Sequence, residues 1–246
     1  MSEALSKRHE PDDATRLVAG VDGCRGGWLY VVARIERDGM AIDCCEVASS
    51  FKQVIEATEN CSAVAVDMPI GLSVDGRRQA DFEARRRLGP RRSSVFPAPA
   101  RCLIEAQGDF ATLNELSKRR CGRGISRETC NILPKIAEVD SCMTPELQNR
   151  IVEAHPELAF WCLNGCVHLG HAKKQPEGRM QRLGLLEWLF GPSITKLTLP
   201  RGAAPDDLYD AAVLTRTASR LLSGDAVHLP AEAQYDARGL RMEIVY

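Results

Sequence analysis

Aromatic residues are scarce in this chain, its net charge is close to nil, and it has no long apolar run. Phe, Trp and Tyr make up 5% of the 246 residues, too few for a base-stacking platform spread over the surface. The formal net charge of −1 excludes binding to nucleic acid or membrane by bulk charge alone, though not through a local basic patch. No stretch approaches the roughly 18 apolar residues of a membrane span. The opening MSEALSKRHEPDD lacks the apolar core of a signal peptide. Cysteine is plentiful at 10 residues, but no two have C-x-x-C spacing. The densest group, Cys162, Cys166, His168 and His171, matches no standard zinc-finger spacing. It sits among Ala159, Phe160, Trp161 and Leu163, so these thiols read as packing. Free thiols without an export signal predict a cytoplasmic protein.

With 44% hydrophobic residues, the chain can bury a core of its own. Residues 1–16 are polar and read as a disordered tail, followed by one α/β domain over 17–246. Leu17–Asp22, Trp28–Ile35 and Met40–Val47 are rich in Val, Tyr and Trp and predict a three-stranded antiparallel meander. Phe51, Val54, Ile55 and Thr58 have helical spacing. Ala63–Asp67 is a continuous apolar strand closed by an acid. Helices are predicted at 77–88, stopped by Gly89 and Pro90, and near 100–107, 110–120, 126–139 and 145–149. A fifth strand over 150–155 ends at Pro156. Helices near 158–164, 177–190 and 205–223 follow, then a closing strand at 242–246. The segment of about 77–149 is thus a helical insertion between the fourth and fifth strands. It is also basic, since residues 77–127 hold 13 Lys and Arg against 5 Asp and Glu.

The acids carry the chemistry. Asp22 ends the first strand and Asp67 the fourth. If those strands are parallel neighbours, their ends lie about 4.8 Å apart, on the edge where α/β sheets bind ligands. A turn role before Gly23 and a loop cap before Pro69 are the plainer alternatives. In Asp206-Asp207-Leu208-Tyr209-Asp210, Asp206 suits an exposed first helical turn. Asp207 and Asp210 share the apolar stripe of Ala211, Leu214, Ala218 and Leu221, so both point toward the protein body. Arginine partners or the preceding loop would satisfy two buried acids. A divalent cation would also remove the repulsion among four gathered carboxylates, and two such cations are a known arrangement for phosphodiester hydrolysis. The glycines of 20–27 lead into a strand, not a helix, which disfavours a Rossmann or Walker loop. A hairpin of this kind also suits actin-like ATPases, but no glycine-rich loop occurs late in the chain.

The strings VAGVDGCRGGW, VAVDMPIGL, ARRRLGPRRSSVFPAPAR, ILPKIAEVD and EAHPELAF, the pair Lys173-Lys174 before Glu177-Gly178, and DDLYDA resemble a bacterial and archaeal family. It is described as predicted RNase-H-like nucleases and carries a domain-of-unknown-function label. The match runs in order from about residue 18 to the C-terminus. The resemblance implies a mixed five-stranded sheet, three strands antiparallel and then two parallel, with helices on both faces and the first and fourth strands adjacent. In the related Holliday-junction resolvases an acid ends the first strand, another the fourth, and a D-x-x-D pair opens the last helix. Asp22, Asp67, Asp207 and Asp210 match these positions as metal ligands for Mg²⁺ or Mn²⁺. The fourth-strand acid of resolvases is usually Glu, so Asp67 is a shorter substitute.

Other residues of these strings are candidates for phosphate or for proton transfer. Arg78, Asp81 and Arg85 recur at helical spacing, as phosphate ligands or as an ion-pair ladder. Arg91, Arg92, Ser93 and Ser94 form a loop suited to phosphate oxygens or to turn chemistry. Lys135, with Glu138 and Asp140, lies in the insertion, and Lys173 offers a further cation. His155 and Glu157 flank Pro156 on the ligand side of the sheet, His155 as a candidate base or metal ligand or simply a hydrogen-bonded ring. The leading expectation is a metal-dependent nuclease or phosphodiesterase acting on nucleic acid or a nucleotide phosphate. A phosphotransferase of the actin-like fold and a non-catalytic nucleic-acid binder are the alternatives. Oligomeric state stays open, a homodimer included.

Overall fold

The computed structural model describes residues 16–106 and 108–246. All but the last residue of the polar tail predicted at 1–16 lies outside them. Strands β1 (Leu17–Cys24), β2 (Gly27–Glu36), β3 (Gly39–Ala48), β4 (Ala63–Val66) and β5 (Ile151–Glu153) form one sheet in the order β3-β2-β1-β4-β5. The pairs β1–β2 and β2–β3 are antiparallel, and β1–β4 and β4–β5 are parallel. This is the mixed α/β sheet predicted from the sequence, three strands antiparallel and then two parallel. In the β1–β4 register Val21 faces Val66, and Asp67 N–H donates to the Val21 carbonyl at 2.9 Å. Asp22 and Asp67 therefore leave the sheet side by side.

Alternation along the strands splits the core between two faces. Val18, Leu29, Val31, Ala65 and Val152 pack with α6 (Pro156–Leu163), α7 (Pro176–Phe190) and α8 (Pro205–Ser223). Ala19, Val21, Trp28, Val64 and Val66 pack with α1 (Phe51–Ala57) and α5 (Arg127–Cys142). Between β4 and β5 also run α2 (Gln79–Leu88), α3 (Arg101–Ile104) and α4 (Phe110–Cys121). The helix predicted at 100–107 is only the single turn α3, and the one at 145–149 is a 3₁₀ turn at Leu147–Asn149. A two-residue strand β6 (His228–Leu229), pairing with β7 (Ile244–Val245), has no alternating pattern to announce it. Pro156 does more than end β5. With its N–H absent and its φ pre-set, it opens α6 with His155 as the cap. Among the described residues no helix is long and apolar enough to cross a membrane.

Glycine 20 sets the distance between the sheet and α8. A Cβ built there would lie 2.0 Å from the Ala211 carbonyl oxygen and 2.8 Å from the Thr215 nitrogen. Both are backbone atoms and have nowhere to go. This close approach seats the first turns of α8, and Asp210 with them, against the end of β1. Gly20→Ala is expected to cost about 1–3 kcal/mol through overpacking. Thermal unfolding checks it, and an unchanged Tm contradicts the close-packing account.

Candidate metal centre

Strand ends supply Asp22 and Asp67, and α8 supplies Asp210. One carboxylate oxygen from each lies within 4.8 Å of the others. The chain reaches this arrangement because β1 and β4 are parallel neighbours and α8 crosses β1 at Gly20. Burial raises the Asp22 carboxyl well above its usual value, and the charges of Asp67, Asp210 and Asp207 raise it further. Burial pushes Asp67 up to about 7 and Asp210 to about 6, with the Lys173 ammonium opposing both. Lys173 Nζ donates to Asp210 Oδ2 at 2.8 Å. Burial works against the Lys173 charge, but Asp210, Asp67 and Asp22 outweigh it and raise the ammonium. A single ammonium thus faces three carboxylates. Three hard oxygen donors with unbalanced charge form a set that suits Mg²⁺ or Mn²⁺.

Asp207 does not join them. Its Oδ2 accepts the Ala204 backbone N–H at 2.8 Å, capping its own helix, and only its charge reaches Asp22. The apolar stripe placed Asp207 and Asp210 on one face. A capping bond at the first turn took Asp207 out of it.

Arg78 is also placed differently from its expected phosphate role. It is buried, donating to Glu153 Oε2 at 2.8 Å and Oε1 at 2.5 Å and to Asp81 Oδ1 at 2.8 Å. Its remaining N–H groups meet the Ile70 and Gly71 carbonyls. No donor is left for a phosphate. Asp81 in turn accepts the Ala98 N–H at 2.8 Å. Removing one partner of such a buried pair costs about 3–5 kcal/mol. Glu153, which the sequence reading passed over, is the partner that draws Arg78 inward.

His155 has both ring nitrogens occupied. Nδ1 accepts the Glu157 N–H at 3.2 Å, and Nε2 lies 3.2 Å from the Ser94 carbonyl oxygen. That pairing places the proton on Nε2 and leaves no lone pair for a metal or a substrate proton. Burial holds the ring below its ordinary pKa. Glu157 is paired with Arg182, and its charge contributes to raising Asp67 and Asp210.

A cavity of 310 Å³ opens over the three acids. Of the residues expected to hold phosphate, Ser94, Lys135 and Lys173 line it. Lys135 Nζ donates to the Gly27 carbonyl at 2.5 Å and lies 4.5 Å from the centre of the Trp28 ring. Arg85 and Arg91 instead donate to the carbonyls of Val95 and Leu169. Arg92 and Ser93 are exposed in the turn before Ser94 and are not part of the lining.

The three carboxyls have folded-state pKa values above their unfolded ones, so protonation favours the fold. For Asp67 and Asp210 that contribution is lost as pH rises through about 6 to 7. In EDTA at about pH 8, Asp22→Asn is expected to raise Tm, by about 2–4 °C for each kcal/mol of repulsion relieved. The same variant should lose the Tm gain that Mn²⁺ gives the unaltered chain. A fall in Tm without metal, or an undiminished gain with it, contradicts the charge balance described above.

The chain is similar in fold to a solved structure of Thermus thermophilus RuvC, with 16% identity, covering 85% of this chain and 97% of that one at a TM-score of 0.36. T. thermophilus RuvC in complex with Holliday junction substrate gives 14% identity, 85% and 96% coverage and a TM-score of 0.34. No curated protein matches the chain. A family model described as "Protein of unknown function (DUF429)" matches residues 20–235. The chain belongs to the DUF429 family.

Proposed function

We propose that this protein is a metal-dependent phosphodiesterase of nuclease type. One observation carries the reading: Asp22, Asp67 and Asp210, from three separate elements, converge within 4.8 Å at the floor of a cavity. Such a cluster is costly without a cation. Its donors are all carboxylate oxygens, the set that hard divalent ions take. Asp22, Asp67 and Asp210 would hold Mg²⁺ or Mn²⁺, which supplies Lewis acidity and lowers the pKa of water. Lys173 and Lys135, the two ammonium groups of the lining, bind the non-bridging oxygens of the phosphate as point charges. In the reaction a water oxygen bonds to phosphorus and the bond to one ester oxygen breaks. The departing oxygen takes a proton, giving an alcohol and a phosphomonoester. Asp207, His155 and Arg78 are left out of this set because their side chains are already engaged.

A non-catalytic phosphate binder is the second reading. It is favoured by the Lys173–Asp210 ion pair at 2.8 Å, which meets one of the carboxylate charges without a metal. Metal titration separates the two.

The test is hydrolysis of single-stranded, duplex, hybrid and branched nucleic acids, and of small phosphodiesters, with Mn²⁺ present. Outer-shell partners of a metal are worth about 10–100-fold, so Asp67→Asn and Asp210→Asn should each lose at least about 100-fold in rate. His155→Gln should lose far less. Equal activity in the Asp variants, or no hydrolysis of any phosphodiester, overturns the reading.

A further inference from the structure

The basic segment of the sequence invites a groove that tracks a polymer, but five of its arginines are spent elsewhere. Arg78 is locked to Glu153 and Asp81. Arg85 donates to the Val95 carbonyl, Arg91 to Leu169, and Arg123 to Gly76. Arg101 bridges Asp140 and Asp236. Five of the 13 Lys and Arg in residues 77–127 therefore hold the insertion together. Non-specific affinity for a nucleic-acid backbone comes from many free Lys and Arg along it. The lining of the acid cavity offers two, Lys135 and Lys173.

The walls of the cavity are also tied down. On one side α5 is fixed by Lys135 to the Gly27 carbonyl, and by Glu138, which accepts from Trp28 Nε1 at 3.0 Å and from Phe51 N–H at 2.6 Å. On another side the irregular segment 94–98 is held at three points. The Ser94 carbonyl meets His155, the Val95 carbonyl meets Arg85, and the Ala98 N–H meets Asp81. One of these anchors, His155, lies beside β5, and a second, Asp81, is tied to β5 through Arg78 and Glu153. Opening the cavity to a wide ligand would break several of these bonds together, most of them at least partly buried. The volume of 310 Å³ sits at the low end of small-molecule pockets, about 300–1,000 Å³. At the lip, Phe96 is 44% exposed and is the one phenyl ring of the lining. It offers a flat apolar face for a single base.

We propose that the site takes a nucleotide-sized phosphodiester, one base against Phe96 and the phosphate between Lys135, Lys173 and the acids, and not the interior of a duplex. The inference rests on the phosphodiesterase reading for its chemistry and goes beyond it in substrate class. Water adds to phosphorus and the ester oxygen leaves with a proton, as above, so no co-reactant is needed.

The full chain with Mn²⁺ is assayed on a dinucleotide and on a long duplex, as internal cleavage per phosphodiester. The dinucleotide is expected to have the higher kcat/KM. Phe96→Ala should raise its KM about tenfold, the order of one lost stacking contact, with kcat changed much less. A phosphorothioate dinucleotide is titrated in parallel by calorimetry. Internal cleavage of the duplex as efficient as that of the dinucleotide overturns this inference and leaves the phosphodiesterase reading standing. Saturable binding of the analogue, weakened by Phe96→Ala, with no hydrolysis of any phosphodiester, supports the ligand class and overturns the hydrolytic reading. Absence of both binding and dinucleotide cleavage overturns the inference outright.

Discussion

Carboxylates repel one another and resist leaving water. Holding Asp22, Asp67 and Asp210 within 4.8 Å is the constraint on which the rest of this structure turns. The sheet meets it through its strand order. Only with β1 beside β4 do two strand ends present acids at one height. The helix α8 meets it through Gly20, whose missing side chain lets α8 lie against β1 and deliver Asp210. Neither acid placement is locally favourable. Burial raises each of these carboxyls, and Lys173 only partly compensates. In the proposed function a divalent cation at this edge would offset that repulsion.

The insertion between β4 and β5 then serves the cluster by enclosing it. Several of its buried or half-buried bonds run to the sheet itself, among them the ion pair of Arg78 with Glu153 and the hydrogen bond that Trp28 Nε1 donates to Glu138. A second group, Arg101 with Asp140 and Asp236 and Arg238 with Asp140, ties α3 and α5 to the C-terminal segment. Buried pairs of this kind add little net stability over apolar packing, but leaving one partner alone is costly. They fix the position of the walls more than they strengthen the fold. A surplus of positive charge in sequence has become a frame in space.

Strand content and the three clustered acids were legible because their signals are local and periodic, whereas strand order came from the family resemblance alone. Asp22 and Asp67 close apolar runs, and Asp210 sits on a helical stripe with Ala211, Leu214 and Ala218. What stayed hidden depends on partners distant in sequence or on competing backbone bonds. Asp207 shares the stripe, but the Ala204 N–H claims it. Arg78 looks free until Glu153, 75 residues away, is seen to face it. His155 resembles a base at a strand end, yet the proline after it makes it a helix cap. Lys173 lies in an irregular loop, where no periodicity could show that it would reach Asp210. Glu138 has the same difficulty. Its bond to Trp28 spans 110 residues, and nothing in ILPKIAEVD marks it as the anchor of a wall.

The central claim is that the three carboxylates form a cation site at the floor of the cavity. The most direct measurement is a crystal structure of the protein grown with Mn²⁺ and recorded for anomalous scattering. The account predicts a manganese peak bounded by Asp22, Asp67 and Asp210, with Lys173 displaced from its bond to Asp210 or turned toward the cavity. A map with no anomalous peak among these residues, and the Lys173 ammonium still seated on Asp210 at saturating Mn²⁺, would contradict it.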